Sequence, residues 1–331
     1  MEPCFNYNGI LDGKYILVKE INSSISSTTY KVFDSSTEKK FLVKIFNENK
    51  TQINTEIEMY RRISRNESPL FLKYINSSSG DLIMDDIRLF DKKYIVFENA
   101  TKGDLLQLIN LKSRGLGEKF SKIFFAKFLK AVHILHKIGI CIKNIDMKNI
   151  LLDGDNFELK LTNFELSSFF INEIGKKILL KEKFRIFQNA APEVMKGIYY
   201  DAEKADIFAL GVFLFSLITG FYGPKGAKTK HSSFDINEKL YKFIKNKNES
   251  FWHLLETNFD IKFSPEFKKL FAKMVDINPK NRPTIEEIFN DEWMKEIIGL
   301  SENELKTYEK ELINEFKSRY ELFSLIISNG D

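Results

Sequence analysis

Residues 142–153 read Ile142-Lys143-Asn144-Ile145-Asp146-Met147-Lys148-Asn149-Ile150-Leu151-Leu152-Asp153. A polar half carrying amides and one carboxylate runs into an apolar tail, and the whole lies in a short β-type segment from Ile140 to Leu166. Just before it, Ser121 to Lys137 places Phe124, Phe128, Val132 and Leu135 at steps of four, four and three, the spacing of a buried helix face. Further upstream, runs such as Tyr15-Ile16-Leu17-Val18, Tyr30-Lys31-Val32-Phe33 and Phe41-Leu42-Val43-Lys44-Ile45 alternate with Ser/Thr/Asn-rich turns and read as strands. One helical pattern interrupts them from about Ile53 to Ile63. After Glu98 helices dominate to the C-terminus.

This order predicts an α+β protein with a small antiparallel β lobe carrying one helix and a larger, mainly α lobe. The expected divisions are an N-terminal extension 1–13, a small lobe 14–98, a large lobe 99–296 and a C-terminal amphipathic helix 297–331. The joint near residues 98–103 is the default ligand cleft. The tail begins with Ser301-Glu302-Asn303-Glu304, a capping box, and carries Leu305, Leu312, Phe316 and Phe323 near one face. Docking on the large lobe is the favoured reading of that face, and capture of a partner is the other.

The 331 residues, 43% of them apolar, suffice for a large core. With 50 basic and 46 acidic residues, the formal charge of +4 is too balanced for the field a nucleic-acid binder uses. Cys4 and Cys141 form no disulfide or metal spacing and Met1-Glu2-Pro3 begins no signal peptide, so a reducing cytoplasmic or nuclear compartment is expected. The apolar run Ile207 to Tyr222 falls short of the roughly 20 residues a membrane span needs and reads as a buried helix. The 31 phenylalanines read as codon bias without chemical meaning.

From about Tyr15 to Met294 the chain resembles the eukaryotic protein kinases, nearest the calcium/calmodulin-dependent serine/threonine group. The resemblance rests on Ala191-Pro192-Glu193 (APE), Asp206 to Gly211 (DxWSxG), Asn278 to Thr284 (DPxxRPT), and the quoted loop, which matches HRDLKPENILLD. It implies the bilobal kinase fold, a buried Glu193–Arg282 pair, and Asp206 accepting hydrogen bonds from the backbone of the quoted loop. Leu135 to Ile140 resembles the approach to that loop. His133 and His136, three apart, read as helix packing and not as a metal pair.

Phosphoryl transfer depends on holding phosphates, magnesium and the acceptor hydroxyl, and each holder has a matching position here. Lys44 matches the phosphate-contacting strand lysine; a solvated strand lysine is the plainer reading. Glu56 matches its helix partner, with Glu58 as the alternative and an interval short enough to leave the pair unformed. Phe97, Glu98, Ala100, Asn149 and Leu151 complete the nucleotide positions. Leu42 and the gatekeeper Phe97 are expected to crowd the base. Asn22, Ser24 and Ser27 replace the glycines of the phosphate loop, and Thr29 its valine.

Asn144 stands at the catalytic aspartate and cannot serve as a base. Asp146 stands at the phosphate-neutralising lysine, and its carboxylate is the one candidate for a displaced base. Asn163-Phe164-Glu165 replaces DFG, so Asn149 and Asn163 together are a weak magnesium site; Glu165 is also expected to cost that motif its positive-φ freedom. Ile142 fills the apolar spine beside Phe164, and Lys143 lacks the bidentate fork of arginine. The activation segment from Phe169 to Ala191 has no Ser, Thr or Tyr, Ile186 replaces a substrate-platform threonine, and Lys176, Lys177, Lys181, Lys183 and Arg185 read as a solvated basic face, with docking of an acidic partner as the alternative.

The resemblance therefore implies a pseudokinase, a scaffold or allosteric protein partner in signalling with weak or no ATP binding, whose partner is an active kinase or its substrate. The alternative is a slow or atypical serine/threonine kinase that transfers the ATP γ-phosphate to protein, using Lys44, Asn149 and Asp146; a small-molecule phosphotransferase is a distant third. No cofactor is required by this reading, and ATP, with or without magnesium, is the one candidate.

Overall fold

The computed structural model describes residues 9–47, 51–84, 87–112, 114–181, 189–221, 240, 242–244, 246, 249–259 and 261–328, apart from the side chains of 51, 258, 259 and 323–328. Cys4, Lys183, Arg185, Ile186, Tyr222 and the side chain of Phe323 lie outside those residues.

Six strands come first: β1 (Ile10–Leu11), β2 (Tyr15–Ser23), β3 (Ser27–Asp34), β4 (Lys39–Phe46), β5 (Tyr74–Met84) and β6 (Ile87–Glu98). They are antiparallel in the order β1-β2-β3-β4-β6-β5, and β1 also pairs with β5, which closes the sheet into a barrel. Ile10 and Leu11 were assigned above to the extension 1–13, yet they belong to the sheet. Closure through them pairs strand edges that would otherwise be open.

Alternation along β4 serves two cores at once. Val43 and Ile45 pack inside the barrel with Leu17, Val32 and Tyr94, while Leu42 and Phe46 join the larger core on the other face. Lys44 shares that second face. Helix α1 (Thr51–Ser64) packs there and buries Ile53, Glu56, Ile57, Tyr60 and Ile63. Glu56 thus falls on the apolar stripe, three residues from Ile53 and four from Tyr60.

After β6 come α2 (Leu105–Asn110), α3 (Gly117–Lys137), β7 (Ile140–Cys141), a 3-10 turn at Met147–Asn149, β8 (Ile150–Asp153), β9 (Glu158–Leu161), β10 (Ser168–Phe169), α4 (Pro192–Lys196) and α5 (Ala202–Thr219). Helices α6 (Ser250–Phe259), α7 (Pro265–Met274), α8 (Ile285–Phe289), α9 (Glu292–Ile298) and α10 (Glu302–Ser328) follow. A closed β unit on a helical lobe is the two-lobed α+β fold that the resemblance implies.

Helix α5 is the pillar of the helical lobe. Asp201 caps its start by accepting from the Lys204 amide at 3.1 Å, and Gly220 ends it in the left-handed conformation with φ 77°. Nearly every residue between is buried, and Ser216 and Thr219 donate to the Val212 and Phe215 carbonyls, so no polar group inside it goes unpaired. A side chain at Gly211 would meet Val275 at 2.8 Å, which explains the glycine where α5 crosses α7. No helix among the described residues is long and apolar enough to cross a membrane.

The phenylalanines do have a structural role. Phe243, Phe251, Phe263, Phe267 and Phe271 surround Trp252, with Phe215 packed on three of them, Phe243–Phe251 centroids at 4.9 Å and Trp252–Phe263 at 5.0 Å. Whatever set their number, they fill the helical core.

Two polar clusters brace this lobe. Arg282, 1% exposed, donates to both oxygens of Glu193 at 2.5 and 2.9 Å and also reaches the Asp276 and Lys204 carbonyls. Asp206, fully buried, accepts from the amides of Ile142 and Lys143, both at 2.8 Å, and from His136 Nε2 at 2.9 Å. His136 is thus a hydrogen-bonding member of the cluster as well as a packed side chain. His133 Nδ1 lies 3.6 Å from Glu286 instead.

The tail docks. Ser301 and Glu304 cap each other, and α10 starts at Glu302 rather than 297, because Ile297 and Ile298 still belong to α9. Phe316 packs edge-on against Phe124 at 6.0 Å and Phe157 at 5.7 Å, with Leu312 also buried. Arg319, 1% exposed, donates to the Ile109 carbonyl in α2, to the Arg114 and Gly115 carbonyls beyond it and to Glu315.

Candidate functional site

A cavity of about 380 Å³ lies between the barrel and the helical lobe. Ile21, Asn22, Ser24, Ser27, Thr29, Leu42, Lys44 and Phe97 line it from the barrel side; Asp104, Leu106, Lys148, Asn149, Leu151, Asn163 and Glu165 are among those that line it from the other. Of the residues singled out from the sequence, it gathers Lys44, Phe97, Asn149, Leu151 and Asn163. Glu56 stands behind Lys44. Ala100 and Glu98 are outside the lining, and the Glu98 side chain turns to Lys160 at 3.4 Å and the Lys73 amide at 3.1 Å.

Leu42 and Phe97, expected to crowd a base, both line the cavity. The Phe97 ring is taken up by Tyr60, centroid to centroid 4.7 Å, so its bulk lies against α1.

Lys44 Nζ donates to both oxygens of Glu56, at 2.8 and 3.0 Å. The interval expected to leave this pair unformed is long enough, because α1 brings Glu56 inward; Glu58 points out and pairs with Arg62 at 3.1 Å. Burial above all, and the nearby Glu165 charge, hold the Glu56 carboxyl above the usual range while Lys44 pulls it down. Tyr60 links the pair to the loop beneath: its hydroxyl accepts from the Asn163 amide at 3.0 Å, and its ring meets Phe164 edge-on at 5.1 Å.

The amides at the expected metal positions bond to each other. Asn163 Nδ2 donates to Asn149 Oδ1 at 2.9 Å, and Asn149 Nδ2 donates to the Asn144 carbonyl at 3.1 Å. Among the described residues no group of three His, Cys, Asp or Glu is placed to hold a metal. The donor set does not fit a magnesium ion: these oxygens are neutral and already engaged. Asp146, half-buried and outside the cavity lining, caps the 3-10 turn by accepting from the Lys148 amide at 2.8 Å.

Positive φ occurs at Asn163, 62°, and Lys143, 61°, but not at Glu165. The left-handed position of this motif is therefore the asparagine, a residue that tolerates it well.

Glu165 has another part, which reading it as a lost glycine missed. Its Oε2 lies 3.4 Å from Lys44 Nζ, and its Oε1 accepts from the hydroxyl of Ser26 in the turn between β2 and β3. In that turn Ser24 Oγ accepts from the amides of Ser26 and Ser27 at 3.3 and 3.1 Å. Asp104 and Lys148 at the cavity wall were also missed. Asp104 caps α2, and burial first, then the Asp146 charge, raise its carboxyl. A carboxylate two residues after Asn163 was the signal available for Glu165; nothing local pointed to Asp104.

Lys143 donates to Ser168 Oγ at 2.6 Å, and Cys141 is buried with Sγ 3.4 Å from the Ser168 carbonyl. Of the basic residues of the activation segment, Lys177 pairs with Glu203 and Lys181 lies 4.9 Å over the Tyr199 ring.

Residues 15–294 match the family model of the protein kinase domain. The chain is 31% identical over 209 residues to mouse NUAK family SNF1-like kinase 1, covering 62% of this chain and 28% of that protein. It is 24% identical over 292 residues to human SNF-related serine/threonine-protein kinase, 87% and 34% of the two chains. With CBL-interacting serine/threonine-protein kinase 14 of Arabidopsis thaliana it shares 26% over 301 residues, 89% and 61%. The chain thus spans between about a quarter and three fifths of these relatives' length.

Proposed function

The chain belongs to the protein kinase family, and from that premise we propose that it works by binding another protein, as a scaffold or allosteric partner, and transfers no phosphate at a useful rate. One observation carries this reading. Asn144 and Asn163 stand where a base and the main metal carboxylate belong, and Asn163 and the retained Asn149 are committed to hydrogen bonds with each other and with the loop. General-base assistance alone is worth about 10² to 10⁴-fold, and an amide supplies none. Protein binding is further supported by apolar side chains exposed around the activation segment: Ile174 84%, Leu179 60%, Ile198 52% and Tyr199 63%. An active kinase, or its substrate, is the class of partner such a fold would engage.

A second reading keeps support from the Lys44–Glu56 pair at 2.8 Å and from the open cavity. It is a slow serine/threonine kinase with Asp146 as displaced base. Relatives named as serine/threonine kinases favour it as well.

A thermal-shift titration with ATP, with and without magnesium, separates the two. The binding role predicts no magnesium-dependent stabilisation. A magnesium-dependent rise abolished by Lys44→Ala, together with phosphate transfer lost in Asp146→Ala, would establish the slow enzyme instead.

A further inference from the structure

We propose that Glu165 is a built-in occupant of the anion position beside Lys44, which holds the two lobes together without nucleotide and restricts the cavity to uncharged or cationic ligands. This deepens the binding role and rests on it: it names what the cleft rejects and the residue responsible.

The charge around Lys44 is already oversubscribed. Its ammonium faces Glu56 at 2.8 and 3.0 Å, Glu165 Oε2 at 3.4 Å and Asn163 Oδ1 at 3.4 Å. Three donors meet four acceptor oxygens, and one positive charge meets two negative ones. An incoming phosphate would have to displace a carboxylate to reach the lysine. Around the cavity and its backing, three carboxyl groups (Glu56, Glu165, Asp104) face two cations (Lys44, Lys148), so no positive charge is left uncommitted for an anion.

The turn above is largely spent as well. A phosphate-cradling turn works through open backbone amides, and here the amides of Ser26 and Ser27 donate to Ser24 Oγ. The Ser26 hydroxyl is spent on Glu165 Oε1. One carboxylate of the helical lobe therefore holds the barrel at two points, the turn through Oε1 and β4 through Oε2. That is the bridge a bound anion would otherwise make. Glu165 retains 28% side-chain exposure, so solvent moderates its field and a modest factor is the right expectation.

The test is isothermal titration of the full chain and of Glu165→Gln and Ser26→Ala with metal-free ATP, ATP plus magnesium, and adenosine as the uncharged probe. Gln keeps the shape and removes the charge. Metal-free ATP should bind Glu165→Gln at least about tenfold more tightly than the unaltered chain, since like charges brought together oppose association strongly. Adenosine should bind the two alike. Amide hydrogen exchange in the 24–27 turn should quicken in both variants. Equal ATP affinity before and after Glu165→Gln, including no binding by either, overturns the proposal. So does an equal gain for adenosine, which would mean shape and not charge, and so does magnesium-dependent ATP binding that requires Glu165. Phosphate transfer by the unaltered chain is a separate readout; it would defeat the binding role and leave the comparison of variants standing.

Discussion

Replacing Glu193 with glutamine leaves the volume of the helical lobe unchanged and removes half of its buried ion pair. The Arg282 side chain has no solvent exposure and Glu193 has 6%, so water cannot replace the lost charge. Breaking such a pair by removing one partner costs about 3 to 5 kcal/mol. Here the low end applies, because Arg282 keeps the Asp276 and Lys204 carbonyls at 2.8 and 2.9 Å, and the glutamine oxygen keeps one acceptor. We therefore expect about 3 kcal/mol, which at a urea m-value of about 3 kcal/mol/M lowers the midpoint by about 1 M. The chain's two tryptophans, Trp252 and Trp293, are both buried in the helical core, so their fluorescence reports this lobe selectively. The double variant Glu193→Gln/Arg282→Met, which removes the orphaned charge, should recover part of the loss. A drop below about 1 kcal/mol for Glu193→Gln, or a double variant worse than the single by the full cost of Arg282→Met, would show that this pair does not brace the lobe in the way its geometry indicates.

Lys44→Met should destabilise the protein with a definite pH dependence. The folded Glu56 carboxyl already titrates above its ordinary range, so the folded state binds the proton more tightly than the unfolded one and stability falls as pH rises through that interval. Removing Lys44 raises the carboxyl further, so the melting temperature of the variant should trail that of the unaltered chain more at pH 8 than at pH 5; a gap that shrinks with pH would contradict this. Phe316→Ala, which empties an aromatic contact 1% exposed between α10 and α3, should cost about 3 kcal/mol and admit protease into the tail. Unchanged protease resistance after this change, or after removal of 301–331, would mean that the tail is not held by the face observed.

Much of the frame could be read from spacing alone. The alternation Leu42-Val43-Lys44-Ile45 puts lysine on the face away from the barrel interior, and the stripe Ile53, Ile57, Tyr60, Ile63 carries Glu56 with it, so both halves of the Lys44–Glu56 pair were legible before their meeting was. The three structural motifs named Glu193, Arg282 and Asp206 because each is local and specific in residue type. Less legible were the barrel closure by Ile10 and Leu11, two residues too short to stand out as a strand, and the role of His136, whose partner lies 70 residues on. The placing of the Phe97 ring was illegible for a like reason, since it packs on Tyr60 of α1 and not on its own strand.

By itself, then, the sequence determined the order of lobes through periodicity and, through the motifs that resemble the family, which residue types depart from it at the cleft, because both are properties of short segments. Only the tertiary structure decided what fills the gap those losses leave. Ser26 and Glu165 are 139 residues apart and Lys44 and Asn163 are 119 apart. Contacts over such separations exist only once both lobes have paid their folding entropy and packed, and no local pattern records which oxygen will then face which nitrogen. Hence a carboxylate that reads as a lost glycine along the chain becomes, across the cleft, the counter-charge of the lysine.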